Sequence, residues 1–149
     1  PETYIADLDV RLGLYRRLSS LTKKVEFEGF AAELIDRFGK LPPEVNTLLL
    51  IVRIKSVCKK AGIGKFDGGP KGATIQFHND KFVSPEGLVE FIKKQKGMAK
   101  IKDNKLIVKR DWKKNSDKFK GAFSIARELA DITSSFDKNN FPENKLPAL

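Results

Sequence analysis

The chain has 149 residues, which suits one domain with a real core, and 40% of them are hydrophobic, eleven being Phe. Its formal charge is +10 and unevenly placed: residues 1–49 hold seven Lys and Arg against eight Asp and Glu, and residues 50–149 hold 22 against 11. One cysteine excludes an internal disulfide and fits a reducing compartment, no apolar run approaches the length of a membrane span, and the composition is not that of a disordered chain.

Residues 4–21 read as a helix whose start Asp7 or Asp9 caps. Val10, Leu14 and Leu18 form its apolar stripe, and Leu8, Leu12 and Tyr15 are expected to widen it. Arg16 and Arg17 lie in its last turns, where cations suit the macrodipole. Residues 25–38 form a second helix, with Phe27, Phe30, Ala31, Leu34 and Phe38 on one face and Gly39 as its stop. Pro42 and Pro43 begin a third helix that runs to Gly62. Its first half is apolar on several sides, so it is expected to be central and the most buried.

After Gly62 the pattern turns to β. Residues 63–67 and 72–78 are short runs that flank the turn signal Gly-Gly-Pro-Lys-Gly. Residues 83–97 contain a helix with Ser84 as cap, Pro85 in the first turn and Gly97 after the end. Residues 98–112 read as a hairpin that turns at Asp103–Asn104, with Ile101, Leu106 and Val108 as its apolar candidates. A final helix covers residues 115–132, with Phe119, Phe123, Ala126 and Leu129 or Ala130 inward. This order predicts an α+β fold: three N-terminal helices, then short antiparallel strands with two further helices packed on the sheet. The domain is expected over residues 1–133, and the polar stretch 134–149, with Pro142 and Pro147, as a flexible tail.

Catalytic chemistry is missing. His78 is the lone histidine and reads as a strand-end surface residue, and no metal-ligand spacing accompanies it. Cys58 lies in an apolar helix with no histidine near it in sequence, so it reads as a small core residue. The stretch 62–72 is glycine-rich, yet it lacks the Gly-Lys-Ser/Thr ending of a phosphate loop and follows a helix, where that motif follows a strand. No cofactor, metal or small-molecule substrate is expected.

A basic run extends from Lys93, Lys94 and Lys96 through Lys100, Lys102, Lys105, Lys109, Arg110, Lys113 and Lys114. It makes phosphate contact plausible, with Lys109, Arg110, Lys113 and Lys114 as the candidate nucleic-acid contacts and Trp112 able to stack on a base. The bland alternative is that lysines at helix ends and strand edges are ordinary, and no aromatic and basic alternation matches a nucleic-acid module.

The second helix raises a sharper question. Glu33 and Asp36 lie one turn apart on the side away from its apolar face, and Glu26, a heptad before Glu33, shares that flank. Such an acidic strip can meet guanidinium groups on another surface. The alternative is that Glu33 merely pairs with Arg37 at i,i+4 and supports the helix.

A resemblance weighs on that choice. Pro1–Glu2, Tyr4–Ile5, Arg11–Leu12, Tyr15 to Arg17, the Glu-Leu-x-Asp-Arg-Phe-Gly run from Glu33 to Gly39, and Leu41–Pro42 resemble the C-terminal domain of the bacterial transcription-repair coupling factor. The likeness is good to about residue 77 and looser to about 132. It implies that the chain, which starts at Pro1 without a Met, is part of a longer cytoplasmic bacterial protein. That protein would be an ATP-driven DNA translocase that displaces stalled RNA polymerase and recruits UvrA, with the motor in another domain. The C-terminal domain would be a non-enzymatic clasp on the UvrB-like module of the same chain and mask its UvrA-binding surface. Glu33 and Asp36, with Glu26 as a weaker contributor, would hold arginines of that module. The other reading left open is a basic module that touches DNA through the hairpin region.

Overall fold

The structure, a computed structural model, describes residues 2–140, the last four by backbone alone. Five helices and four strands follow in the order α1 (Leu8–Ser20), α2 (Lys24–Phe38), α3 (Pro43–Lys60), β1 (Ile63–Gly69), β2 (Gly72–Phe77), α4 (Pro85–Lys94), β3 (Ala99–Lys102), β4 (Lys105–Lys109) and α5 (Asn115–Asn140). The α+β class is as expected. The chain divides into two compact units, Pro1–Ser56 and Val57–Leu149, and the division falls within α3.

In the first unit, Asp7 caps α1 by accepting from the Val10 amide at 3.1 Å. Leu14 and Leu18 of α1, Phe27, Phe30 and Leu34 of α2, and Ile5 and Val45 form one buried cluster. Fully burying a side chain of this size contributes about 1.5–3 kcal/mol, which is far more than the helices' own propensity supplies. The segment before α1 is tied down from two sides. The Tyr4 hydroxyl, at the C-terminal end of α2, shares its proton between the Gly39 carbonyl at 2.7 Å and the Leu34 carbonyl at 3.1 Å. The Arg11 guanidinium donates to the Ile5 carbonyl at 3.0 Å.

Two expectations fail here. Leu8, Leu12 and Tyr15 do not widen the buried stripe of α1; they are 55%, 42% and 43% exposed. One narrow face is enough to seat α1 on α2, and these three residues lie outside it. Nor is α3 the most buried helix: Val45, Val57 and Cys58 are its buried side chains, while residues 48–54 are half-buried throughout.

In the second unit, the sheet order is β1-β2-β4-β3, antiparallel at every pair. Alternation gives β2 its buried set, Ala73, Ile75 and Phe77, and β4 its own, Leu106 and Val108. Asp103 and Asn104 have φ of 53° and 62°, the pair of positive values a two-residue hairpin turn needs, and Asn is the side chain that tolerates them best. Gly72 has φ of 128°, and a Cβ there would lie 2.0 Å from the Val108 carbonyl oxygen, so β2 and β4 pair only because the position is glycine. Ser84 caps α4 by accepting from the Gly87 amide, with Pro85 at the first turn. On α5, Ala122, Ile125, Ala126, Leu129 and Ala130 are buried. This helix runs on to Asn140, beyond the expected end at Ile132, so the polar residues from Ser134 to Asn140 are helical. The rest of the expected tail, residues 141–149, lies outside the described residues.

Candidate functional site

The acidic residues of α2 have three different fates. Leu14 and Leu18 press α1 against α2, which brings Arg17 beside the α2 flank. Its Nη1 donates to Glu33 Oε2 at 2.6 Å and its Nη2 to Oε1 at 3.1 Å, a two-point pairing that matches the fork of the guanidinium to the carboxylate. Arg37, one turn along α2, adds a bond from Nη1 to Oε2 at 3.3 Å. The hydrogen bond from Arg17 is the main cause that holds the Glu33 carboxyl below its ordinary range, and the same bond raises the Arg17 guanidinium. Both arginines also lie over rings: Arg17 is 5.3 Å from the centroid of Phe30 and Arg37 4.9 Å from that of Phe38. Glu33 is therefore joined to α1 as well as to its own helix. The i,i+4 pair was legible in sequence. The partner sixteen residues away was not, because only packing decides which face of α1 meets α2.

Glu26 works at the helix start. Its Oε1 accepts from the Lys23 amide at 2.9 Å and from the Thr22 hydroxyl at 3.2 Å. Lys23 has no side-chain acceptor, so only this half of a reciprocal cap exists. The Lys23 amide bond is the chief cause that lowers the Glu26 carboxyl. A Glu three residues into a helix is the sequence signal for this role.

Asp36 is exposed and has neither hydrogen bond nor ion pair among the described residues. It lies one turn from Glu33 on α2. It is the carboxylate of the strip that keeps its full capacity for an incoming cation.

The basic run of the second unit is solvated. Lys109, Lys113 and Lys114 are exposed, and Lys113 pairs loosely with Asp111 at 3.9 Å. Arg110 is half-buried, and its guanidinium donates to Gln95 Oε1 and to the Lys109 carbonyl. Trp112 cannot serve as a base-stacking platform. It is buried, its amide donates to the Pro70 carbonyl at 2.8 Å, and its ring lies flush on Gly121, where a Cβ would come within 2.4 Å of it. His78 is exposed at the end of β2. Cys58 is buried, and burial pushes its thiol up to about 11, the reverse of what a nucleophile needs. Among the described residues no group of three or more His, Cys, Asp or Glu side chains is placed to hold a metal ion, and no helix is long and apolar enough to cross a membrane.

Residues 1–88 match the family model of the TRCF domain. The transcription-repair-coupling factor of Rickettsia conorii is 44% identical over 108 residues, which cover 72% of this chain and 10% of that protein. That of Escherichia coli strain K12 is 40% identical over 95 residues, 64% of this chain and 8% of that protein. The chain thus spans about a tenth of the length of these relatives. A crystal structure of the C-terminal domain of transcription-repair coupling factor superposes with a TM-score of 0.70 at 23% identity, covering 91% of this chain and 88% of that one. At that identity the likeness is one of fold.

Proposed function

This chain belongs to the transcription-repair coupling factor family and has the fold of that factor's C-terminal domain, and from that premise we propose that it is a non-catalytic, autoinhibitory interaction domain. It clasps the UvrB-like module of its own protein and masks the surface that UvrA binds. The protein it serves is a cytoplasmic, ATP-dependent DNA translocase that meets stalled RNA polymerase. The observation that carries the reading is Asp36, exposed and unpartnered among the described residues, one helical turn from Glu33.

On this reading the three acids divide the work within the strip. Asp36 takes an arginine of the UvrB-like module without displacing anything. Glu33 already accepts three bonds, from Arg17 and Arg37, out of the four or so lone-pair sites a carboxylate offers. It receives a further guanidinium through its remaining capacity, or in exchange for Arg37, whose bond is the longest. Glu26 is spent on the helix start and contributes only its charge.

A clasp of this kind is releasable. Ion pairs at an interface rim contribute roughly 0.2–1 kcal/mol each. A contact that weak holds only because tethering in one chain supplies an effective concentration on the order of mM. A modest competing contact then opens it.

The test is a titration of this chain against the UvrB-like module of its own protein, followed by NMR or calorimetry, with wild type beside Asp36→Arg. Binding in wild type that is lost in Asp36→Arg is the expected result. Equal binding by both, or no binding by wild type near mM concentration, overturns the reading. In the whole protein, Glu33→Ala with Asp36→Ala is expected to raise UvrA binding.

A further inference from the structure

A groove of about 820 Å³ lies between α4 and α5, wholly within the second unit. α5 packs tightly on α4 at Gly87, where a Cβ would stand 2.4 Å from Ile132 Cγ2, and both residues line the groove. Its floor is apolar: Phe91 is only 1% exposed, and Ile132 is half-buried. Its rim is acidic: Glu86 and Glu90 stand on α4, and Glu128 and Asp131 on α5. Lys94 is the single cation among the lining residues.

This distribution is not what the composition alone leads to. Residues 50–149 carry 22 cations and 11 acids, yet four of those acids ring one groove. They are also largely free. Glu90 and Asp131 have only exposed pairs within their own helices, to Lys93 at 3.8 Å and Arg127 at 3.4 Å. Glu86 and Glu128 have no ion pair among the described residues. Exposed i,i+3 and i,i+4 pairs are weak and yield easily to a better partner.

We propose that the α4–α5 groove is a docking site for a basic amphipathic helix, one whose apolar side chains lie over Ile132 above the Phe91 floor while arginines or lysines on both flanks meet the acids of the rim. Two helices that present an apolar trough between charged edges take a third helix as their natural occupant. The ten residues of α4 give a trough roughly 15 Å long, about three turns of the guest. Charge complementarity sets the choice of guest: the same groove repels the acidic counterpart and, with four carboxylates around it, any nucleic acid. This site is independent of the clasp, which uses α2 in the other unit.

The test uses the whole chain, labelled with ¹⁵N, and a synthetic helical peptide of about twelve residues. The peptide has leucines at i, i+3 and i+4 spacing and arginines on both flanks, and a second peptide has glutamate at every arginine. The expected result is saturable shifts confined to residues 84–94 and 128–136 with the arginine peptide and none with the glutamate peptide. Glu86→Lys with Glu128→Lys is expected to weaken binding roughly tenfold or more, and Glu86→Gln with Glu128→Gln by less. Both pairs of substitutions are at the groove rim, so the rest of the spectrum reports that the fold is intact. Shifts that centre on another part of the chain, equal binding of the two peptides, or unchanged affinity in the Lys variant each overturn the proposal.

Discussion

Arg17 and Glu33, sixteen positions apart, close α1 onto α2 through two parallel hydrogen bonds of 2.6 and 3.1 Å. The pair lies at the surface, over the ring of Phe30. It couples the packing of two helices to the ionisation of one carboxylate.

That coupling predicts a pH dependence. The Glu33 carboxyl is depressed in the folded chain relative to its ordinary value of 4.5, chiefly by the Arg17 hydrogen bond. A depressed carboxyl stabilises the fold fully above its unfolded value, and the contribution is lost as pH falls through the folded value. Glu26 acts in the same direction through the amide of Lys23. Glu33→Gln is therefore expected to lower the urea midpoint at pH 7, while the two proteins converge at a pH below the folded value of Glu33. Urea melts of both proteins at neutral and acid pH check this.

Under the proposed clasp, a substitution at Asp36 is expected to separate fold from function. With no partner among the described residues, it contributes nothing local that a substitution would remove. Asp36→Ala is expected to melt like wild type, and its loss of function, measured as binding to the UvrB-like module, stands alone. Thermal melts and the titration on one preparation test both halves.

Gly121 is a packing constraint. A methyl group there would approach the Trp112 ring to 2.4 Å, so either the indole or α5 must move. Gly121→Ala is expected to destabilise by about 1–3 kcal/mol, the usual cost of overfilling a packed site. Trp112 is the chain's one tryptophan, so its emission also reports the displacement. A red shift in the native spectrum with a lower urea midpoint is the expected pair of results.

Cys58 is expected to be inert in the folded chain. Its thiol is buried and lies at about 11, so at pH 8 roughly one molecule in a thousand carries the thiolate, against about a quarter for a free thiol. Labelling with a disulfide reagent at pH 8 should be slow in buffer and rapid in denaturing urea.

Much of this architecture is legible in the sequence, for physical reasons that differ by element. Caps at Asp7 and Ser84 and the Asp103–Asn104 turn are local signals, read within four residues. The alternation that buries Ile75, Phe77, Leu106 and Val108 follows from the period of a strand. What escapes is whatever needs a second element to define it. Leu8, Leu12 and Tyr15 share a helix with Leu14 and Leu18, and nothing in α1 says how wide its partner is. Half-burial of residues 48–54 of α3 is likewise set by what packs on it. The same limit governs the site. Acids on α2 are visible as a strip, but their division into a helix clamp, a cap and a free carboxylate depends on Arg17 and on the amides of Thr22 and Lys23. Trp112 reads as an exposed aromatic among lysines until Gly121 is seen beneath it.

The sheet order leaves β1 and β3 on the outside. Each outer strand is poorly suited to recruit another chain. On β3 the exposed residues are Lys100, Ile101 and Lys102, so a second copy laid alongside would bring ammonium groups against ammonium groups. On β1 the register slips between Ile63 and Lys65, which spoils the straight ladder an added strand would follow. Edge-to-edge growth, the usual route from an open sheet to fibrils, is disfavoured at both ends by these features.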